Sequence, residues 1–470
     1  MKKISNITLA LVVLFTFFTG IGSSHAQGDF TIYGMKSLPQ RTYANPALRP
    51  DSRFFIGIPG LSSLYGTFNN SSFEFDEFTS ALERKNADTV ILNINALSNM
   101  FRDNNSFSGE MKLDLIHFGF QAGPGNYFTF NSTLVHKSKL SFDADLPKLI
   151  LEGNGGRNLG KRFDLGFDMD LLDYVEFGLG YSRSLMDQRL TVGARVKYLK
   201  GLVNVTTEQS DMYFTTDPND YTLLLQSNIR LNTASSIGNI EADTFGDNVE
   251  LSDILGLASN NGGWGLDVGA TFELNKKIEL SAAIRDMGRI KWNDNVKNYY
   301  SRDPNAKFEF KGLDFNTAFE DTDSTDVLEA LADSIADRFK LDEANQSYTT
   351  GLSPEFYLGG TFSFTKNHRA GVLFYGDWYH QRLHPAFTLS WYSQFTRVVA
   401  LSATYTIMNN KFNNFGIGLS LNGGPFQYYF VTDNVVSLFS PNVVRNFSFR
   451  TGMSFTFLRN PKDKKKYERK

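Results

Sequence analysis

The 470-residue sequence contains no cysteine. That excludes disulfide staples, thiolate metal sites, a cysteine nucleophile and a lipid-anchored N-terminal cysteine. Proline is scarce, with 13 residues in all, about 3% where about 5% is ordinary. Long apolar runs are nearly missing as well. The one prominent run, Leu9 to Phe18, is shorter than the ~20 apolar residues a spanning helix needs. With a mean hydropathy of −0.27, a bundle of transmembrane helices is excluded. A large charge excess is lacking too: 47 Lys+Arg stand against 50 Asp+Glu, a net of −3. Such a balance offers nothing to a nucleic acid.

Aromatics are what the sequence has in abundance. It holds 43 Phe and 20 Tyr, which no disordered chain would carry. Residues 1–26 read as a secretory signal peptide: Lys2 and Lys3, then the apolar run, then Ser24-His25-Ala26 with small residues ahead of the cut. The mature chain is therefore expected to be exported. The charge is unevenly spread, with +2 in the signal, −9 over 27–460 and +4 in the last ten residues, PKDKKKYERK. Residues 461–470 are expected to form a basic periplasmic tail.

A period of two runs through most of the rest. Over 447–457 the odd positions are Phe447, Phe449, Thr451, Met453, Phe455 and Phe457, and the even ones Ser448, Arg450, Gly452, Ser454 and Thr456. Over 162–171, Phe163, Leu165, Phe167, Met169 and Leu171 oppose Arg162, Asp164, Gly166, Asp168 and Asp170; 264–274 alternates in the same way. One greasy face and one polar face define a strand between two solvents. Runs of about 9–12 residues exceed the five or six of a sandwich strand and suit a tilted bilayer crossing. The expected fold is all-β, a transmembrane antiparallel β-barrel of about 14–16 strands spanning 51–460. Counting back from a C-terminus on the periplasmic side puts Gly123-Pro124-Gly125, Asn275-Lys276-Lys277, Thr365-Lys366-Asn367 and Asn422-Gly423-Gly424 in periplasmic turns. Loops 143–160, 233–262, 293–350 and 434–445 then fall outside. Two connections break the rule: 208–219 is too long for its side and Met186-Asp187-Gln188 too short. Residues 27–50, with Pro39, Pro46 and Pro50, read as an N-terminal arm or hatch, and 326–340 as a short amphipathic helix within a long loop.

Motifs for chemistry fail one by one. Gly155 to Lys161 matches the phosphate-loop spacing, but Arg162 stands where Ser or Thr must hold Mg²⁺, and a strand pattern follows instead of a helix. The acidic run Asp321, Asp323, Asp326 lacks the glycine and glutamate of a calcium loop. His380 and His384 flank a turn and lack fixed helical spacing. No catalytic, metal or cofactor site is expected, and the chain is not expected to be an enzyme. Charges on the polar faces carry more: Arg162, Asp164, Asp168, Asp170, Arg195, Asp267, Glu273 and Arg285 are expected to line the lumen. Their mixed sign points to internal ion pairs, and a filled lumen and an open channel both satisfy it.

Asn45-Pro46-Ala47-Leu48, soon after the signal, resembles the N-terminal segment of FadL-type outer-membrane barrels and of the PorP/SprF and PorV relatives linked to type IX secretion. RDMGRIKW (285–292) and GLSPEFYLGGTFSF (351–364) look like a family within that group. The resemblance implies a 14-stranded barrel in the bacterial outer membrane, with Asn45, Pro46 and Ala47 in a hatch inside the lumen. It implies either passage of hydrophobic or small solutes or a non-catalytic scaffold role beside a secretion complex. Outer-membrane lipid, a hydrophobic solute and a periplasmic or secretion-complex protein at the basic tail are the partners expected; nucleic acid is not.

Overall fold

The computed structural model describes residues 29–84, 90–236, 259–310, 338–379, 382–408, 411–440 and 444–457. The expected signal peptide, the basic tail, the acidic run at 321–326, His380 and almost all of the helix expected at 326–340 lie outside the described residues.

Fourteen staves make the wall. In chain order they are β1 (Phe54–Gly57 and Leu64–Asn70), β2 (Asn105–Gln121), β3 (Asn126–Phe142), β4 (Arg162–Asp164 and Phe167–Leu185) and β5 (Leu190–Thr216). Next come β6 (Leu223–Ser235 and Gly262–Glu273), β7 (Ile278–Trp292, Val296–Ser301 and Lys307–Phe310) and β8 (Leu341–Ala344, Tyr348–Gly351 and Glu355–Ser363). The last six are β9 (His368–Tyr379), β10 (Arg382–Gln394), β11 (Val399–Met408), β12 (Lys411–Gly423), β13 (Phe426–Thr432) and β14 (Asn446–Phe457). Each pairs antiparallel with the next, as in Phe120↔Phe128 between β2 and β3 and Phe374↔Phe387 between β9 and β10. The ring closes where β14 pairs with β1, Phe54 opposite Phe457 and Leu64 opposite Thr451. A closed ring has no unpaired edge.

Side-chain burial follows the alternation. In β14, Ser448, Arg450, Ser454 and Thr456 are buried inside while Phe455 and Phe457 are exposed outside. In β11, Ala400, Ser402, Thr404 and Thr406 face in and Leu401 faces out. Leu179, Val196, Leu358, Val372, Leu389 and Ile417 continue the exposed apolar belt on other staves. Exposed grease outside and buried polar groups inside invert a soluble protein and fit a barrel standing in lipid. No helix among the described residues is long and apolar enough to cross a membrane.

The two ends differ. One carries only tight turns, at 122–125, 186–189, 274–277, 364–367, 395–398 and 424–425, together with the start of β1 and the end of β14. The other carries the long connections at 71–104 and 143–161. Both sequence exceptions disappear here. Met186-Asp187-Gln188 joins β4 to β5 at the tight-turn end, among its like. Residues 208–216 are wall, because β5 runs 27 residues, far beyond the ~9–11 a crossing needs. The strands Leu223–Ser235 and Gly262–Glu273, on either side of the loop expected at 233–262, both pair with β5 and form one stave. That merger is one reason the wall has fourteen staves and not sixteen. Likewise 293–350 is not all loop, since β7 extends to Phe310 and β8 begins at Leu341. Phe163, expected on a lipid face, is buried at the long-loop end, where β4 is broken at 165–166.

Candidate functional site: a plug and its charged socket

Residues 29–50 fill the inside of the ring. A single helical turn, α1 (Phe30–Gly34), starts at Asp29, and a 3-10 turn follows at Pro39–Tyr43 with proline at its first position. Both are too short to hold themselves up in water. Packing supports them. Phe30 meets Tyr375 edge-on at 5.2 Å and Tyr33 stacks on Tyr357 at 5.7 Å, in a cluster with Ala283, Leu373 and Met408. Ile32, Met35 and Leu38 pack on Tyr392, Tyr429 and Val431. Every backbone–backbone hydrogen bond that residues 29–50 make among the described residues stays inside the segment. The plug is therefore no part of the sheet.

Polar side chains do the fastening. Asp29 is the deepest anchor: Arg450 Nη2 of β14 approaches its carboxylate to 2.7 Å and Arg285 Nη1 of β7 to 3.3 Å. Burial pushes the Asp29 carboxyl up, but the two guanidiniums outweigh it and hold it below its usual value. Thr31 N–H donates to Asp433 at 2.8 Å, and Tyr33 Oη to Ser281 at 2.8 Å. Tyr43 Oη donates to Asp114 at 2.8 Å, with its ring over His117 and within 5.0 Å of the Arg195 guanidinium. Burial first and the Asp114 carboxylate second keep the Tyr43 hydroxyl well above its usual pKa, so it remains a donor. Arg195 Nη2 and Arg285 Nη1 donate to the carbonyls of Thr42 and Tyr43. Arg49, near the tight-turn end, donates to Ser182 and the Gly125 carbonyl.

The predicted hatch residues sit against two glycines of the wall. Asn45 Nδ2 donates to the Ala282 carbonyl at 3.2 Å, and its Oδ1 accepts from Ala47 N–H at 2.8 Å. A Cβ at Gly269 would stand 2.1 Å from Asn45 Oδ1, and one at Gly193 would stand 2.5 Å from the Pro46 carbonyl carbon. Only glycine lets β5 and β6 come this close to the Asn45-Pro46-Ala47 turn.

Around the plug the lumen is a connected ion-pair network. Lys197 Nζ lies 2.5 Å from Asp286, 2.9 Å from Asp267 and 3.3 Å from Glu176. Arg195 reaches Asp267 at 3.6 Å, and Arg285 also meets Asp286 and Glu355. Lys137 and Lys112 share Glu110 at 3.4 and 2.7 Å. Asp286 takes φ of 58° at a register shift in β7, and its N–H donates to Asp267 at 2.8 Å. A buried charge persists only when paired and hydrogen-bonded.

Of the eight charged residues predicted from alternation, Arg195, Asp267 and Arg285 meet in this network. Glu273 is exposed at the tight-turn end. Arg162 is exposed at the long-loop end, its guanidinium 3.6 Å over the Tyr213 ring. Asp164, Asp168 and Asp170 are half-buried on the same stave, and Asp170 accepts from Thr206. Asp29, Glu110, Lys137, Glu176, Asp286, Glu355 and Arg450 were not singled out. Arg450 could have been, as the lone charge on the polar face of 447–457.

A concavity of about 490 Å³ opens on the outer wall over β6–β9. Phe272, Leu280, Leu358 and Val372 form its sides, and Ala270, Ala282 and Gly360 its floor. Directly behind that floor are Asn45, bonded to the Ala270 and Ala282 carbonyls, and Tyr33, bonded to Ser281.

The model of a family of unknown function (DUF5723) matches residues 46–433. No curated protein matches the sequence. Among solved structures, the chain is similar to a Pseudomonas aeruginosa FadL homologue, at 11% identity over 93% of this chain and 100% of that one, with a TM-score of 0.43. It is also similar to the toluene transporter TodX of P. putida, at 10% identity over 88% and 93%, with a TM-score of 0.40.

Proposed function

This chain belongs to the family of unknown function DUF5723, and we propose that it is a plugged channel of the bacterial outer membrane whose residues 29–50 gate passage of small or hydrophobic solutes. The observation that carries the reading is the fastening of the plug. A segment that shares no main-chain ladder with the wall can be withdrawn while all fourteen staves keep their pairing. Tight turns collect at one end and long connections at the other, which supports a periplasmic C-terminus. The outer concavity supports an apolar cargo: it faces hydrocarbon, and its floor touches the plug through Asn45 and Tyr33. The charged lumen, by contrast, offers no continuous apolar route while the plug is seated.

Vesicles carrying the full-length protein and a variant lacking 29–50 test this. The variant should pass small solutes at least about tenfold faster, since an opened barrel of this size leaves aqueous space. Equal rates, with both proteins showing the heat-dependent gel shift of an intact barrel, would sink the gating role.

A further inference from the structure

The tight-turn end carries a rim of exposed cations. Arg53 stands at the start of β1, Arg183 at the end of β4, Lys276 and Lys277 between β6 and β7, Lys366 between β8 and β9, and Arg397 between β10 and β11. None of the six is ion-paired among the described residues. Exposed acids at this end are fewer: Asp187 and Glu273, neither in an ion pair among the described residues, and Asp51, engaged by Lys36 at 3.5 Å. The rim runs against the net charge of residues 27–460, which is −9 with these six cations counted.

Its placement relative to the aromatics is regular. Tyr181 precedes Arg183, Phe364 precedes Lys366 and Phe395 precedes Arg397, each by two residues, and each of these aromatics is exposed. A spacing of two keeps both side chains of a strand on one face, so Tyr181 and Arg183 both point outward from β4. Phe54 likewise adjoins Arg53. Trp391, 45% exposed, completes a patch with Phe364 at 5.4 Å. An aromatic ring settles at the boundary of hydrocarbon and headgroup, and a cation two residues farther out then reaches the phosphate layer. An acidic protein partner would favour cations gathered on one side. Here they are spread over three turns and the ends of two further staves, β1 and β4, as contact with a surrounding leaflet requires.

We propose that this rim binds the phosphates of an anionic phospholipid leaflet and sets the height and tilt of the barrel. The inference is independent of gating by the plug.

The test uses full-length protein in which Trp264 and Trp378 are changed to Phe. Trp391 then reports the rim, while Trp292 is fully buried. Brominated phosphatidylglycerol and brominated phosphatidylcholine are compared as quenchers in otherwise identical vesicles. At low salt the anionic quencher should be about threefold more effective, and parity should return at high salt or on changing Lys276, Lys277, Lys366 and Arg397 to Gln. The heat-dependent gel shift verifies that this variant folds. A second reporter keeps Trp264, beyond the rim, in place of Trp391 and should show no preference. Equal quenching at Trp391 in the native rim overturns the proposal. So does a preference abolished by millimolar inorganic phosphate, which marks a soluble-anion site, or salt-sensitive retention on polyglutamate with lipid parity, which marks an acidic polypeptide.

Discussion

Every stave of the wall is tied to two neighbours by main-chain ladders, whereas each hydrogen bond between the plug and the wall among the described residues involves at least one side chain. The ladders are indifferent to sequence, so a single substitution rarely opens them. The plug depends on a few buried atoms, so single substitutions decide whether it is seated. Stability of the barrel and occupancy of its lumen are in this sense separate properties. The missing native cysteines make the separation measurable, because a cysteine placed at Ala47, which is 3% exposed, would be the sole thiol. Its labelling reports plug release, and unfolding in denaturant reports the wall.

The largest expected effect comes from Asp29→Ala. It leaves the Arg450 guanidinium buried without its carboxylate and takes one of three from Arg285. Breaking a buried pair this way costs about 3–5 kcal/mol, so Ala47→Cys should change from protected to rapidly labelled while the unfolding midpoint of the wall stays in place. An equal loss of wall stability would erase the distinction. Acid should act in the same direction. The folded carboxyl of Asp29 titrates below its unfolded value, so its contribution is complete above the unfolded pKa of about 3.9. It is lost as pH falls through the folded value. Compared at each pH with the Asp29→Ala protein, whose thiol carries the same intrinsic pH dependence, the protection owed to Asp29 should be lost only below about 4.

Gly269→Val comes next. The added Cβ would lie 2.1 Å from Asn45 Oδ1 on the plug side, while the wall ladder at that position is main-chain. Overpacking of this kind costs about 1–3 kcal/mol and should appear as partial labelling with an unmoved wall. Smaller again is Tyr43→Phe. It removes one donor to Asp114, which still accepts from Ser62 and Thr133. A loss of about 1–2 kcal/mol should raise labelling about five- to thirtyfold, and no change would mean that the ring contacts with His117 and Arg195 do the holding.

The same contrast explains what could be read in the sequence. The wall was legible because lipid and lumen impose period two on every crossing, and strand 447–457 shows it without a gap. Where the wall rises beyond the hydrocarbon that pressure ends. Residues 208–216, 296–301 and 307–310 lose the alternation yet keep pairing, so wall there has the sequence pattern of loop. Arg195, Asp267 and Arg285 were found by their place on polar faces. Their meeting with Asp29 was not, because Asp29 lies 421 positions from Arg450 and no local pattern encodes contacts across a ring. Asn45 was reached by resemblance, and its reason, two glycines pressed against one turn, is visible only in three dimensions.

The wall has its own weak point, and it tests the contrast from the other side. The turn from β4 to β5 holds Met186, Asp187 and Gln188 at φ of 50°, 52° and 72°, a left-handed run with no glycine in it. Side chains there carry strain that glycine lacks, offset in part by the extra freedom glycine gives the unfolded chain. Gln188, which is exposed and has the largest φ, is the best site for relief. Gln188→Gly should raise wall stability by about 0.5 kcal/mol, read as a small upward shift of the unfolding midpoint. Labelling at Ala47→Cys should not change, because this turn lies outside every plug contact described above. A shift in labelling without a shift in the midpoint would mean that wall and plug are coupled through the tight-turn end, where Arg49 of the plug already donates to the neighbouring turn at Gly125.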